Sequence, residues 1–293
     1  MRQFVELQEK YRCFVFIADY HALTTPHSHH HPEEVRESSR EIARAYLAIG
    51  LDPKQIVLFK QSEVPAHTEL AWIFNCITTM PYLMRAHAFK DAEAKNKEIS
   101  VGTFDYPMLM AADILLYDPA VVPVGKDQKQ HVEYARDTGQ KFNSLYGDIF
   151  AIPEPLILDA TATVPGTDGQ KMSKSYGNTI PVFATREELA ETVMSIVTDS
   201  SGTRPENVYQ IHKLVRSEAE LVPLYEQNTG NYKALKEALI EDLDQFLSPM
   251  RTKYEELKND PSMVEQVLIE GKREARAVSE AKMQQVRKAV GVA

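Results

Sequence analysis

Cysteine is nearly absent: Cys13 and Cys76 are the two in 293 residues. Two thiols cannot build a disulfide framework or a thiolate zinc site, and a reducing, cytoplasmic setting is expected. No stretch approaches the roughly 18 consecutive apolar residues of a bilayer-spanning helix, so no membrane partner is expected. The opening Met1-Arg2-Gln3-Phe4-Val5-Glu6 lacks the basic, then apolar, then small pattern of a secretory signal. Glycine is missing from the first nineteen residues, so no glycine-rich phosphate turn precedes Asp19. Basic charge is in deficit, with a net charge of −9, which excludes a protein coated in cationic surface. A local nucleic-acid patch stays open, because phosphate contacts need only a few placed cations.

What is present is a globular composition, 43% hydrophobic and 26% charged, long enough for one large or two modest domains. Cys13 to Ala18 is a continuous apolar run ended by Asp19, the pattern of a strand buried on both faces. Val35, Ser39, Ile42, Tyr46 and Ile49 repeat at helical spacing up to Gly50, and Ile56-Val57-Leu58-Phe59 reads as the next buried strand. Helical patterns follow over 67–88 and 106–117, then a strand over 120–124 and a helix over 127–143. This alternation predicts an α/β fold, a Rossmann-like parallel sheet. Residues 151–183 read as irregular. Helical patterns then cover 187–198, 205–216, 218–227, 232–246 and 261–289. The expected division is an α/β domain over 1–184 and an all-helical domain over 185–293.

Three segments carry chemistry. In Gly169-Gln170-Lys171-Met172-Ser173-Lys174-Ser175-Tyr176-Gly177-Asn178, two lysines three apart stand among serines and glycines. Such a loop can fold around phosphate, the ammonium groups acting as point charges and the backbone N–H groups as donors; a solvated basic loop is the plain alternative. Tyr106 to Tyr117 is apolar on every side apart from Asp113, with Tyr106, Met110, Asp113 and Tyr117 on one stripe. Burying that carboxylate is costly unless something donates to it: a structural partner, or a ligand N–H in a pocket walled by Met110 and Tyr106. Gly125-Lys126-Asp127-Gln128 follows an apolar strand, at the carboxyl end where open α/β sheets bind ligands.

Lys-Met-Ser-Lys-Ser at 171–175 matches the second signature of class I aminoacyl-tRNA synthetases. With Tyr106 to Tyr117, Val122 to His131 and Gln61-Ser62-Glu63-Val64-Pro65-Ala66-His67, the chain resembles the bacterial tryptophanyl-tRNA synthetases over nearly its whole length. A tyrosyl enzyme is similar in fold, but its counterparts of the Asp113 helix and of the Gln128 turn are worded differently. The resemblance implies ATP-dependent activation of L-tryptophan, transfer to tRNA(Trp), Mg²⁺ beside the phosphates, and a homodimer with the apolar 72–89 region as its surface. It implies Asp113 as acceptor of the indole N–H, with Met110, Val122 and Val124 as walls. Tyr106 and Gln128 would hold the polar end of the amino acid, beside His21. Gly125, Lys126, Asp127 and Gln128 would bind ATP together with Lys171, Met172, Ser173, Lys174 and Ser175, the two lysines being catalytic. A helical tRNA anticodon-binding domain over 185–293 would use Lys272, Arg273, Arg276, Lys282, Arg287 and Lys288.

The sequence departs from the pattern at its start. The family opens on a strand and a His-Ile-Gly-His-like segment that cradles ATP, whereas Met1-Arg2-Gln3-Phe4 falls inside the helix that follows. A sheet short of one strand, an ATP site short of one wall and a poorly active chain are therefore expected. Ala92 stands where relatives often carry lysine, with Lys95 or Lys97 as substitutes. The cluster Pro26-His27-Ser28-His29-His30-His31-Pro32 has no spaced carboxylate or thiol partner and is read as an exposed loop, not a metal site. The competing readings are a nucleotidyltransferase of similar fold, an inactive relative that binds tryptophan or tRNA, and a tyrosyl-type synthetase.

Overall fold

The computed structural model describes residues 2–24, 31–86, 89–90, 93, 99–125, 128–157, 164–198 and 204–292. The expected ATP contacts Lys126 and Asp127, Ala92, Lys95 and Lys97, and His27 to His30 of the histidine cluster lie outside them.

The chain forms two compact units, Met1–Asp159 with Asp260–Ala293, and Ala160–Asn259. The boundary thus falls before the Lys171 loop rather than at 184, and the last helix belongs to the first unit. Its apolar stripe explains this: Val264, Leu268, Ala275, Met283 and Val286 are buried, and Ala275, Met283 and Val286 join the core of the α/β half.

In the first unit, α1 (Arg2–Leu7) leads to β1 (Cys13–Ile17), α2 (Asp19–Ala22), α3 (Pro32–Ala48) and β2 (Ile56–Lys60). Next come α4 (Ala66–Ile77), α5 (Met80–Leu83), α6 (Val101–Leu115), β3 (Val121–Val124), α7 (Lys129–Tyr146) and β4 (Glu154–Ile157). The strands pair in parallel, β1 with β2 from Cys13↔Ile56 to Ile17↔Lys60, and β3 with β4 from Val121↔Glu154 to Val124↔Ile157. Parallel pairs joined through helices are the α/β arrangement expected, as two pairs among the described residues rather than one sheet. Phe59, Leu70, Phe74, Met108, Leu115 and Phe142 fill the centre with α4, α6 and α7.

Several boundaries differ from expectation for local reasons. β1 is half-buried along most of its length, because Cys13 to Phe16 line a cavity. The helix over 67–88 breaks at Thr78-Thr79, both extended, before Pro81 starts the next turn. The helix bearing Asp113 begins at Val101 rather than 106, since the Ser100 side chain accepts the Thr103 N–H at 3.2 Å. β4 lies in the stretch read as irregular; pairing with β3 gives it order.

The last helix, α12 (Pro261–Val290), crosses β2 so closely that a Cβ on Gly271 would fall 1.9 Å from the Leu58 carbonyl oxygen. The second unit holds the Lys171 loop, α8 (Arg186–Met194), α9 (Glu206–His212), α10 (Glu218–Gln227) and α11 (Tyr232–Asn259). The last of these continues through Pro249, beyond the expected end at 246, because Leu247 and Leu257 extend its buried stripe.

Candidate active site

Asp113 is 3% exposed, on the face of α6 turned into the core. Its carboxylate is surrounded by donors. Gln61 Nε2 donates to Oδ1 at 2.7 Å, His67 Nδ1 lies 2.6 Å from the same oxygen, and His21 Nε2 lies 2.8 Å from Oδ2. Burial opposes ionisation, but the hydrogen bonds of His21 and His67 outweigh it and hold the carboxyl below its ordinary pKa. The group is an anion at neutral pH.

Each donor is fixed in turn. Gln61, fully buried just beyond β2, accepts the Tyr20 N–H on Oε1 at 3.2 Å, which fixes its amide. Asp19 ties the same two segments, accepting the Ser62 N–H at 2.9 Å and the Ser62 hydroxyl at 2.5 Å. His67, in the first turn of α4, has its Nε2 2.8 Å from the Tyr117 hydroxyl. Tyr117 stacks on Phe14 with centroids 4.6 Å apart. Burial and the nearby Asp113 charge push the Tyr117 phenol well above its ordinary pKa, so it keeps its proton.

Of the residues singled out in the sequence, His21 meets Asp113 and sets its ring edge-on to Tyr106, with centroids 6.1 Å apart. The Tyr106 hydroxyl lies 2.6 Å from His131 Nε2. Met110 and Val122 pack against the central core and Val124 is buried. Gln128 donates its backbone N–H to the Gly125 carbonyl at 3.0 Å. A cavity of about 480 Å³ adjoins the site, lined by Phe14, Phe16, Asp113, Tyr117, Val121 and Val122 among others. His21, Tyr106, Met110, Val124 and Gln128 are not among its lining residues. Gln61, His67 and Tyr117, to which the sequence assigns no role, complete the network around Asp113. The available signal is the polar Gln61-Ser62-Glu63 just past the apolar run Ile56 to Phe59, with His67 four residues further on.

In the second unit, Lys171 and Lys174 are exposed and make no ion pair among the described residues. Their loop is shaped by Asn178, 2% exposed. Its Oδ1 accepts the Ser173 N–H at 2.8 Å, and its Nδ2 donates to Asp168 at 2.7 Å and to the Lys171 carbonyl at 3.1 Å. Ser173 Oγ lies 2.8 Å from Ser175 Oγ, and Gly177 turns the chain at φ 65°. Met172 donates its N–H to the Val164 carbonyl at 2.9 Å. Two ammonium groups are thus carried on a loop with a rigid base, suited to phosphate oxygens. Among the described residues no cluster of His, Cys, Asp and Glu could hold a metal ion.

Comparison with known proteins accords with this geometry. The family model of the class I tRNA synthetases (W and Y) matches residues 1–269. The chain belongs to that family. Tryptophan–tRNA ligase of Fusobacterium nucleatum is 46% identical over 100% of this chain and 92% of its own length. The crystal structure of Campylobacter jejuni tryptophanyl-tRNA synthetase with ADP and tryptophan superposes with a TM-score of 0.90 at 41% identity, covering 99% of this chain and 93% of that one. Tyrosyl-tRNA synthetase of Archaeoglobus fulgidus shares the fold alone, with a TM-score of 0.62 at 21% identity over 85% of this chain and 82% of that one. The class I synthetase fold is therefore the fold of this chain.

Proposed function

We propose that the chain is a tryptophan–tRNA ligase that activates L-tryptophan with ATP and passes it to tRNA(Trp). The observation that carries this reading is the buried Asp113 anion, whose surroundings leave one acceptor direction on Oδ2 without a partner among the described residues. An indole N–H satisfies that acceptor, whereas a phenyl ring leaves it unpaired. Sites built to bond a substrate N–H or O–H reject analogues lacking it by about four to five powers of ten.

In this reading the tryptophan carboxylate attacks the α-phosphorus of ATP, the bond to the bridging oxygen breaks and pyrophosphate leaves. A hydroxyl at the tRNA end then attacks the acyl carbon and AMP departs. The carboxylate is already a nucleophile, so the chain supplies position and charge. Met110, Val122 and Val124 wall the indole, Tyr106 and Gln128 hold the polar end of the amino acid, and His21 stands beside the site on Asp113. Gly125 with Lys126 and Asp127 receives the adenosine, and Lys171 to Ser175 the phosphates, the lysines meeting the charge that grows on pyrophosphate. Mg²⁺ would arrive with ATP and draw its ligands from phosphate and water, as this cation commonly does.

The cytoplasm, a homodimer and tRNA contacts from the helices after 185 belong to the same proposal. Trp72, Met80 and Met84, exposed by 70%, 67% and 44%, support the 72–89 region as the dimer surface. Among the described residues no helix is long and apolar enough to cross a membrane. Tryptophan-dependent ATP–pyrophosphate exchange tests the reading. Exchange driven by tryptophan and not by tyrosine is the expected result, and none with tryptophan overturns it.

A further inference from the structure

Asp113 takes more donors from its own chain than an indole acceptor requires, and two of them share one oxygen. A carboxylate offers about four lone-pair directions and donates nothing. Gln61 and His67 fill Oδ1, and His21 occupies one side of Oδ2. Because the carboxylate only accepts, the Nδ1 of His67 carries the proton of that bond, and Nε2 faces the Tyr117 hydroxyl at 2.8 Å. With the ring neutral, the O–H of Tyr117 donates to Nε2 while Nδ1–H donates to Asp113, an arrangement that selects one tautomer. His67 and Gln61 are fully buried, whereas the His21 side chain is 22% exposed. Oδ1 is therefore gripped from the interior and Oδ2 faces the more open side.

We propose that His67, locked by Tyr117 and aided by Gln61, is a positioning residue for indole recognition. By saturating Oδ1 it fixes the carboxylate plane, so that the single open acceptor is the one on Oδ2 beside His21. Without it the carboxylate can rotate and offer Oδ1 as a second empty acceptor, and a ligand N–H no longer meets one fixed lone pair. The inference deepens the tryptophan–tRNA ligase reading and rests on it. A merely structural histidine would support the fold without affecting which ring is chosen.

The test compares tryptophan with 3-benzothienylalanine, which carries sulfur in place of the indole N–H, in pyrophosphate exchange by wild type, His67→Leu, His67→Asn and Tyr117→Phe. The Asn amide can place an N–H near the position of Nδ1. Expected for His67→Leu is a tryptophan KM raised about tenfold or more, with the ATP KM little changed. The preference for tryptophan over the sulfur analogue should narrow at least as much. Most of it should return in His67→Asn, and Tyr117→Phe should shift the same way by less. If His67→Leu does not fold, the Asn and Phe variants carry the comparison. Equal loss for both substrates, with the preference intact, overturns the role given to His67. A wild-type chain that neither binds nor activates tryptophan overturns the functional reading and this inference with it.

Discussion

A carboxylate buried to 3% exposure stays ionised only if donors replace its water, and Asp113 has three. In Asp113→Asn the new N–H₂ must face a donor on whichever side it turns, Gln61 and His67 or His21. A loss of roughly 1–3 kcal/mol of stability is expected, with tryptophan affinity lowered far more than ATP affinity. Urea unfolding and calorimetry check both, and unchanged tryptophan affinity would remove Asp113 as the acceptor. The acid limb gives a second reading. The folded pKa of Asp113 lies below its ordinary value, so its contribution is present at neutral pH and lost as pH falls through that lowered value. The Asn variant should therefore unfold less steeply with acid below about pH 4. Asp113 itself was legible in the sequence, because a lone carboxylate in an apolar helix demands an explanation. Two of its three partners were not: Gln61 and His67 lie 52 and 46 residues away, and packing alone makes them neighbours.

At the scale of elements, the Lys171–Ser175 loop was legible as a string of residue types and illegible as a shape. Asn178 closed that string with no role, yet its side chain makes three bonds across the turn. Asn178→Ala should leave the Ser173 N–H without its acceptor and let the lysines wander. Slower adenylate formation and a raised ATP KM are expected, with tryptophan binding unchanged in single-turnover and equilibrium measurements. Unchanged kinetics would mean that the loop base is not set by Asn178. In α12 the signal lay in a glycine: Gly271 interrupts a long helix where alanine is ordinarily better by about 1 kcal/mol. The reason is the Leu58 carbonyl beneath it. Gly271→Ala should separate helix and strand and cost about 1–3 kcal/mol, the range for overpacking. A melting temperature equal to wild type would show that the helix shifts at little cost. β4 was missed for the opposite reason, since four residues including Pro155 carry no periodicity until β3 lies beside them.

At the scale of the whole molecule, the first compact unit is built from both ends of the chain. Sequence position alone assigns the last helix to the domain before it, and its run of cations then looks like a nucleic-acid surface. The structure uses most of those cations internally. Lys272 lies 3.6 Å from Glu63, Arg276 donates to the Glu63 carbonyl at 2.6 Å, and Lys282, 6% exposed, pairs with Asp118 at 2.5 Å and donates to the Ile149 carbonyl at 2.7 Å. Arg287 grips Glu69 at 2.6 Å and 2.7 Å and also reaches Glu280. Arg273 and Lys288 are exposed and make no ion pair among the described residues. The two sets should separate experimentally. Reversing Lys282 and Arg287 to glutamate places like charges beside Asp118 and Glu69, so the melting temperature, pyrophosphate exchange and tRNA charging should all fall together. Reversing Arg273 and Lys288 should leave melting and exchange near wild type; if this face meets tRNA, charging should weaken and its dependence on salt should become shallower. Charging unaffected by the second pair would place the tRNA contacts on other residues and leave α12 as a support of the α/β unit.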